Sequence, residues 1–525
     1  RDYHTVDMTE RTLREVYLPP YKAAIDAGAA TVMTSFNDID GVPATGSAFL
    51  LEKILREEWG FKGFVVTDYT SINEMVPHGY ARDEKHAGEL AINVGVDMDM
   101  QGAVYQNYLK QLVEEGKVSV ADIDASVRRI LLKKFELGLF DDPYRYSSEA
   151  REKAVVFSKE LMDHAREAGR RSIVLLKNEP AGGKKLLPLD PGIKKIALIG
   201  PLADNARDQL GTWHASGDAS KCVTLLQALQ TALPGAAIQY AKGCETEGVD
   251  QSGFGQALLA ARDADLVILA IGENYVQSGE AASRSQLGLP GPQQNLLEQI
   301  VATGKPVVCV VMAGRPLVLS WMDAQVPAIV NAWHLGTMSG PAIADVLTGA
   351  YNPSGKLCIS FPRNEGQIPV HYAMRNTGRP FDANNKYTSK YLDVPNTPLY
   401  PFGFGLSYTT FAYSDLRLDA ASIGFGQPLR ISATVTNSGS RAGEETVQLY
   451  VRDLVRSTVR PVRELKGFQK VFLNAGESRT VQFTLTSDNL RFYNQNMEFK
   501  AEPGAFQVFV GGSSTAELMG SFELK

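Results

Sequence analysis

Two segments carry carboxylates where chemistry is usually done. Asp68 follows the apolar run Phe64-Val-Val-Thr67 and precedes Tyr69. A long polar loop, Gly272-Glu-Asn-Tyr-Val-Gln-Ser-Gly-Glu-Ala-Ala-Ser-Arg284, leaves a second apolar run ending at Ile271 and contributes Glu273 and Glu280. In parallel α/β architectures active sites gather at the carboxyl ends of strands, so polar residues just beyond an apolar run carry most weight. Two carboxylates on loops of different domains, with aromatics nearby, suit glycoside hydrolysis. One attacks the anomeric carbon as carboxylate; the other, its pKa raised by burial or by the neighbouring negative charge, protonates the leaving oxygen. Each carboxylate also has a plainer reading. An Asp after a strand can cap the next helix, and Glu280 and Arg284, four residues apart, can form a local ion pair of little energetic consequence. Residue types and spacing leave both readings open.

Other chemistries find no footing. The loop after Ile271 lacks the G-x-G-x-x-G of a Rossmann phosphate site, as does Gly200-Pro-Leu-Ala after another apolar run, so nucleotide binding is a weak reading. No G-x-S-x-G elbow argues for a serine hydrolase, and no H-E-x-x-H motif argues for zinc. His78 and His86 are too loosely spaced to suggest a metal. Among Cys222, Cys244, Cys309 and Cys358 there is no C-x-x-C pair. Cys309 and Cys358 lie in apolar runs and read as small buried hydrophobes. A Cys222–Cys244 disulfide stays open, since spacing alone cannot decide pairing. The expectation is metal-free acid/base chemistry without a cofactor.

The elements that must hold these residues alternate in type. Ala30–Phe36, Gly63–Thr67 and Val96–Met100 read as strands, followed by helical stretches at Phe49–Trp59, Ala81–Asn93, Val104–Glu115 and Val120–Leu137. Strands alternating with helices of this length indicate βα units on a parallel sheet. Asp141-Asp-Pro-Tyr closes that pattern, and a charged helical connector runs to about Arg171. A second α/β region follows, with strands expected at Ile173–Leu176, Lys195–Ile199, Leu266–Ile271, Val307–Met312 and Pro327–Asn331. Near-continuous β-branched runs of this kind suit a sheet covered on both faces. After an irregular stretch reaching about Tyr408, the period changes to alternation at Ile431–Thr436, Val447–Arg452, Thr480–Leu485 and Phe506–Val510. Turn residues at Asn437-Ser-Gly and Asn474-Ala-Gly separate these runs, as in an antiparallel sandwich of the immunoglobulin or fibronectin type.

Composition sets outer bounds. At 525 residues the chain has room for about three or four domains, and 44% hydrophobic against 21% charged residues is ordinary for a globular protein. A formal charge of −6, with no long basic run, offers no footprint for nucleic acid; a neutral or weakly polar partner fits better. No stretch reaches the ~18 uninterrupted apolar residues of a membrane span, so no membrane partner is expected. Homo-oligomerisation is left open.

Gly60-Phe-Lys-Gly-Phe-Val-Val-Thr-Asp-Tyr69 closely resembles the nucleophile segment of glycoside hydrolase family 3, and Ser278-Gly-Glu-Ala-Ala-Ser-Arg284 with Leu289-Pro-Gly-Pro-Gln resembles its acid/base loop. Asn352-Pro-Ser-Gly-Lys-Leu-Cys-Ile-Ser-Phe-Pro362 and Tyr400-Pro-Phe-Gly-Phe-Gly-Leu-Ser-Tyr-Thr-Thr-Phe411 look like two further signatures. The match spans essentially the whole chain in order, and is most similar to bacterial periplasmic or secreted β-glucosidases with a C-terminal fibronectin type III-like domain. The resemblance implies an α/β multidomain chain: the C-terminal part of a TIM (β/α)8 barrel over residues 1–140, a linker over 141–170, an α/β sandwich over 171–365, a connecting segment over 366–410 and a fibronectin type III-like β-sandwich over 411–525.

It implies further that Asp68 is the nucleophile and Glu280 the general acid/base of a retaining enzyme, their carboxyl groups approaching to about 5 to 5.5 Å. Phe36 stands where many relatives have Tyr beside the sugar, Tyr69 replaces the common Trp after the nucleophile, and Trp213 matches the aromatic closing the leaving-group subsite. Arg1 corresponds to a sugar-binding arginine of a Gly-Arg-Asp-Tyr segment. The family's upstream acidic residue and Lys-His pair are absent here, and the visible strands correspond to the last three of the barrel, so roughly five βα units are expected to precede this chain. The expected activity is that of an exo-acting β-glucosidase on a small oligosaccharide such as cellobiose, in the periplasm or secreted. β-Xylosidase or mixed β-glycosidase activity is the neighbouring alternative and a non-catalytic carbohydrate-binding remnant the alternative from another class. A phosphorylase or N-acetylhexosaminidase is a third, against which Glu280 in its loop argues.

Overall fold

The computed structural model describes residues 2–525, so Arg1 lies outside the described residues. The chain divides into two compact units, the first ending at Val156 and the second running Phe157–Lys525.

In the first unit, strands β1 (Thr31–Met33) and β2 (Phe64–Val66) pair in parallel with Thr31 opposite Phe64 and Met33 opposite Val66. Helices α1 (Glu84–Asn93), α2 (Val104–Glu114) and α3 (Val120–Glu136) follow, together with an earlier helix, Phe49–Glu58. Their starts are written locally: Asp83 accepts the His86 amide at 2.8 Å and Ser119 accepts the Asp122 amide at 3.1 Å, each satisfying a donor that the first helical turn leaves open. Leu51, Leu55, Phe61, Val65, Ile72, Ala87 and Val96 bury a common core. The third expected strand, Val96–Met100, shrinks to a single parallel bridge between Val66 and Met98. The amides of Asp97 and Met98 both donate to the Val65 carbonyl, at 2.9 and 3.0 Å, and two donors spent on one acceptor interrupt a ladder.

The second unit opens with α4 (Lys159–Ser172), capped by Ser158 and held to the sheet layer by Arg166 on Asp345. The sheet comprises β3 (Val174–Asn178), β4 (Lys195–Ile199), β5 (Ala237–Ala241), β6 (Leu266–Gly272), β7 (Val307–Met312) and β8 (Ala328–Asn331), in the order β3-β8-β7-β6-β4-β5. All neighbours are parallel except β3 against β8. Every residue of β6 and β7 is buried, with Val267, Leu269 and Ile271 facing one core and Ile268 and Ala270 the other. Helices on both faces explain why these strands read as unbroken apolar runs rather than as alternation. Strand β5, which the apolar runs do not announce, pairs only with β4 at the sheet edge.

Beyond it lie β9 (Phe411–Leu418), β10 (Ser422–Ile423), β11 (Leu429–Asn437), β12 (Gly443–Asp453), β13 (Glu464–Leu473), β14 (Ser478–Leu485), β15 (Gly504–Gly511) and β16 (Leu518–Leu524). They form sheets of order β9-β11-β14 and β10-β16-β15-β12-β13, and Ile431, Val435, Leu449, Val481, Val508 and Phe522 bury one core. Polar contacts join this sandwich to the α/β layer. Glu445 on β12, 4% exposed, pairs with Lys356 at 3.0 Å and accepts the Tyr413 hydroxyl at 2.9 Å. The two later signature segments belong to this join: Asn352 accepts from the Ser407 hydroxyl and the Tyr408 amide, both at 2.8 Å, and Phe361 bridges to Tyr400. All four cysteines are free thiols, so Cys222 and Cys244 are not joined; both are buried. Cys309 is buried as expected, but Cys358 is exposed, because its irregular segment turns Leu357 into the core and leaves Cys358 and Ile359 on the outside.

Candidate active site

In the first unit, β1 and β2 run parallel and in register, so the chain leaves both at the same end of the pair. Phe36 lies three residues past β1 and Asp68 two past β2. Thr67 is fully buried and fixes the exit: its amide donates to the Met98 carbonyl at 3.0 Å and its hydroxyl accepts the Met100 amide at 2.8 Å. Asp68 is partly exposed, and one carboxylate oxygen accepts the Tyr69 amide at 2.6 Å. Thr70, in the left-handed region at φ +62°, precedes the short helix Ser71–Glu74, whose first amide and hydroxyl bond the Asp68 carbonyl. The backbone of Asp68, not its carboxylate, therefore starts that helix. Tyr69 is exposed; Phe36 meets Tyr3 edge-on at 5.4 Å, and its carbonyl bonds His78 at 3.0 Å. Burial raises the Glu74 pKa, His78 opposes this, and the Asp68 charge adds to it. The Arg1 assignment lies outside the described residues.

In the second unit, Glu280 is exposed on the loop that leaves β6. It stands between Gly279 at φ +97° and Ala281 at φ +56°. Glycine suits the first because a Cβ there would come within 2.5 Å of Thr212 Cγ2. Thr212 in turn can donate to the Tyr275 and Ser278 carbonyls, which draws the exposed Trp213 beside the same loop. A cleft of about 560 Å³ there is lined by Trp213, His214, Ser278, Gly279, Gly314 and His334 among others. Burial lowers the His334 pKa against the pull of Glu273 and Asp208, and its Nε2 bonds the Glu273 carbonyl at 3.1 Å. Burial raises the Asp208 pKa, although the Tyr275 amide donates to it.

Glu273, the other carboxylate of the loop, is completely buried. Arg284 reaches it at 2.7 Å and spends another nitrogen on the Gly288 carbonyl at 2.9 Å. Arg315 also reaches Glu273, at 3.0 Å. Sequence reasoning passed over Arg315, although Ala313-Gly-Arg-Pro directly follows β7 and the strand-end rule that singled out Asp68 applies equally there. It also passed over Asp97, buried beneath β2 between Arg56 at 2.8 Å and Arg129 at 2.6 Å. Among the described residues no cluster of three or more His, Cys, Asp or Glu could hold a metal ion, and no helix is long and apolar enough to cross a membrane.

A strand-end aspartate in one α/β unit, and a buttressed glutamate loop in another that continues into a β-sandwich, match known families segment by segment. Residues 1–132 match the glycosyl hydrolase family 3 N terminal domain, 173–408 the glycosyl hydrolase family 3 C-terminal domain and 445–514 the fibronectin type III-like domain. The chain belongs to glycoside hydrolase family 3 and is a glycoside hydrolase.

It is 44% identical over 550 residues to a periplasmic beta-glucosidase of Salmonella typhimurium, covering 100% of this chain and 71% of that protein. It is 40% identical over 527 residues to a beta-xylosidase of Formosa agariphila, covering 97% of this chain and 71% of that one. The crystal structure of a beta-glucosidase from Listeria innocua in complex with isofagomine superposes with a TM-score of 0.94 at 40% identity, over 100% of this chain and 72% of that chain.

Proposed function

We propose that the protein is a retaining, exo-acting β-glucosidase that releases terminal glucose from cello-oligosaccharides and other small β-glucosides. The observation that carries this is Asp68 at the carboxyl end of β2, its carboxylate oriented by the Tyr69 amide, in a chain 44% identical to a periplasmic beta-glucosidase. Asp68 attacks the anomeric carbon while Glu280 delivers its proton to the departing glycosidic oxygen; the C–O bond breaks and a glycosyl ester forms with inverted configuration. Glu280, now a carboxylate, takes a proton from water, which displaces Asp68 and restores the β configuration. Phe36, Tyr69 and Trp213 supply aromatic faces to the apolar C–H faces of pyranose rings. Arg1 is proposed as a further sugar contact by resemblance alone. The two parallel strands of the first unit, the bridge at Met98 and the helices that follow fit the C-terminal part of a TIM (β/α)8 barrel. The second unit fits an α/β sandwich followed by a fibronectin type III-like domain.

Listeria innocua beta-glucosidase has also been crystallised in complex with glucose, which supports a glucose-sized subsite in a chain this similar. Location in the periplasm or outside the cell is proposed with it, supported by the similarity to the periplasmic Salmonella enzyme. β-Xylosidase activity is the second reading, favoured by the Formosa relative. The test is kcat/KM for 4-nitrophenyl β-glucoside against the β-xyloside: a clear preference for glucoside supports the proposal, and comparable values remove the glucosidase assignment.

A further inference from the structure

The loop carrying Glu280 has a shape that its own residues do not favour. Left-handed backbone at the non-glycine Ala281, beside Gly279, costs of order 1 kcal/mol and persists only where surrounding structure enforces it. Besides Thr212, which ties the Tyr275 and Ser278 carbonyls, one side chain beyond the next strand grips this loop on both sides of Glu280. The Nη2 of Arg315 donates to the Gln277 carbonyl and, at 2.7 Å, to the Ala282 carbonyl, so a single nitrogen ties the loop three residues before Glu280 and two after it. The Nε of the same guanidinium lies 3.0 Å from Glu273 Oε1, an ion pair without hydrogen-bond geometry; Glu273 is fully buried, accepts the Gly314 amide at 3.3 Å on Oε2 and shares Oε1 with Arg284 at 2.7 Å. The packing beneath leaves little freedom: a Cβ at Gly314 would sit 2.4 Å from the Ser278 hydroxyl oxygen.

We propose that Arg315 is a positioning residue for Glu280, its planar fork transferring the fixed location of Glu273 at the end of β6 to the loop that presents the acid/base. The proposal rests on the reading of Glu280 as acid/base. Lysine would keep a positive charge beside Glu273 but, as a point charge on a flexible stem, cannot reproduce the fork.

The test compares Arg315→Lys, Arg315→Met and Glu280→Gln in the full chain, using aryl β-glucosides of graded leaving-group pKa together with hydrogen exchange of the 275–283 segment. General acid catalysis contributes about 10²- to 10⁴-fold and matters most for poor leaving groups. Arg315→Lys is therefore expected to lower kcat/KM about 10- to 100-fold for phenyl β-glucoside and less than about 3-fold for the 2,4-dinitrophenyl glycoside. Glu280→Gln should show the same gradient more steeply. Loop exchange should accelerate in Arg315→Lys, with exchange in β6 and β7 unchanged. If Glu280→Gln is graded but both Arg315 variants are flat across leaving groups, or loop exchange is unaltered, the positioning role is overturned and the Glu280 reading stands. If Glu280→Gln is itself flat, the acid/base reading fails and the role of Arg315 fails with it. Should Arg315→Met not fold, Arg315→Lys decides.

Discussion

Asp97→Ala tests whether the strand end bearing Asp68 is held electrostatically from below. The Asp97 side chain has no solvent exposure; it receives Arg56 at 2.8 Å, Arg129 at 2.6 Å and the amide of the fully buried Val65 at 2.7 Å. Removing one partner from a buried ion pair costs about 3–5 kcal/mol, because the charges left behind lose their compensation. Two features pull toward the lower end. The arginine side chains keep 17% and 31% exposure and can recover some hydration, and Arg56 retains the Phe61 and Gly63 carbonyls at 3.0 and 2.6 Å. One pushes upward: the Val65 amide is left buried without its acceptor, worth about 1–3 kcal/mol. A loss of about 3–4 kcal/mol is expected, or roughly 150- to 1,000-fold faster exchange of the Val65 and Val66 amides where opening is measured at equilibrium. Hydrogen exchange with mass analysis of peptides spanning residues 61–70 reads this directly, with the β7 peptide of the second unit as internal reference. Asp97→Asn, which keeps an acceptor for Val65, should lose less. Acceleration of less than about 3-fold in Asp97→Ala would refute the argument that this ion cluster anchors β2.

Further expectations concern the second unit. His334 has its pKa lowered by burial, so the unfolded chain binds its proton first as pH falls. This contribution to stability is fully present above the unfolded value of about 6.5 and is lost as pH falls from there toward the folded value. Chemical denaturation between pH 5 and 8 should therefore show an acid-side decline that His334→Gln makes shallower; an unchanged slope would remove His334 as its source. Native thiol titration should modify Cys358 quickly and the other three slowly, since burial pushes the Cys222 and Cys244 thiols up to about 11 and that of Cys309 higher still. Unfolding without reductant should expose all four thiols; two would instead reveal a Cys222–Cys244 disulfide.

The particular residues show what could be read from the chain and what could not. Strands at Lys195–Ile199 and Val307–Met312 have the expected bounds, since strands covered on both faces read as continuous apolar runs, here Ile196–Ile199 behind the exposed Lys195 and the whole of Val307–Met312. Ala237–Ala241 carries no such run because an edge strand buries only part of its side chains. Val96–Met100 reads as a strand by composition, but Asp97 turns its carboxylate back to Arg56, Arg129 and the Val65 amide, and the ladder stops at one bridge. Spacing within the loop could not announce that Arg284 reaches back eleven residues to the buried Glu273 at the end of β6. Cys358 reads as buried from its flanks Leu357 and Ile359, yet burial is decided by what packs on a segment from elsewhere, and only Leu357 is covered. Arg315 was legible by rule and unreadable in consequence: its position after β7 is local, whereas the carbonyls it ties lie more than thirty residues earlier in the chain.

The central claim is that Asp68 forms the glycosyl ester. Inactivation with a 2-deoxy-2-fluoro β-glucosyl fluoride, followed by peptide mapping, should place a single label on Asp68 in the peptide containing Gly63–Tyr69, and Asp68→Asn should take up none. Label on any other residue, or stoichiometric labelling of Asp68→Asn, would contradict the account.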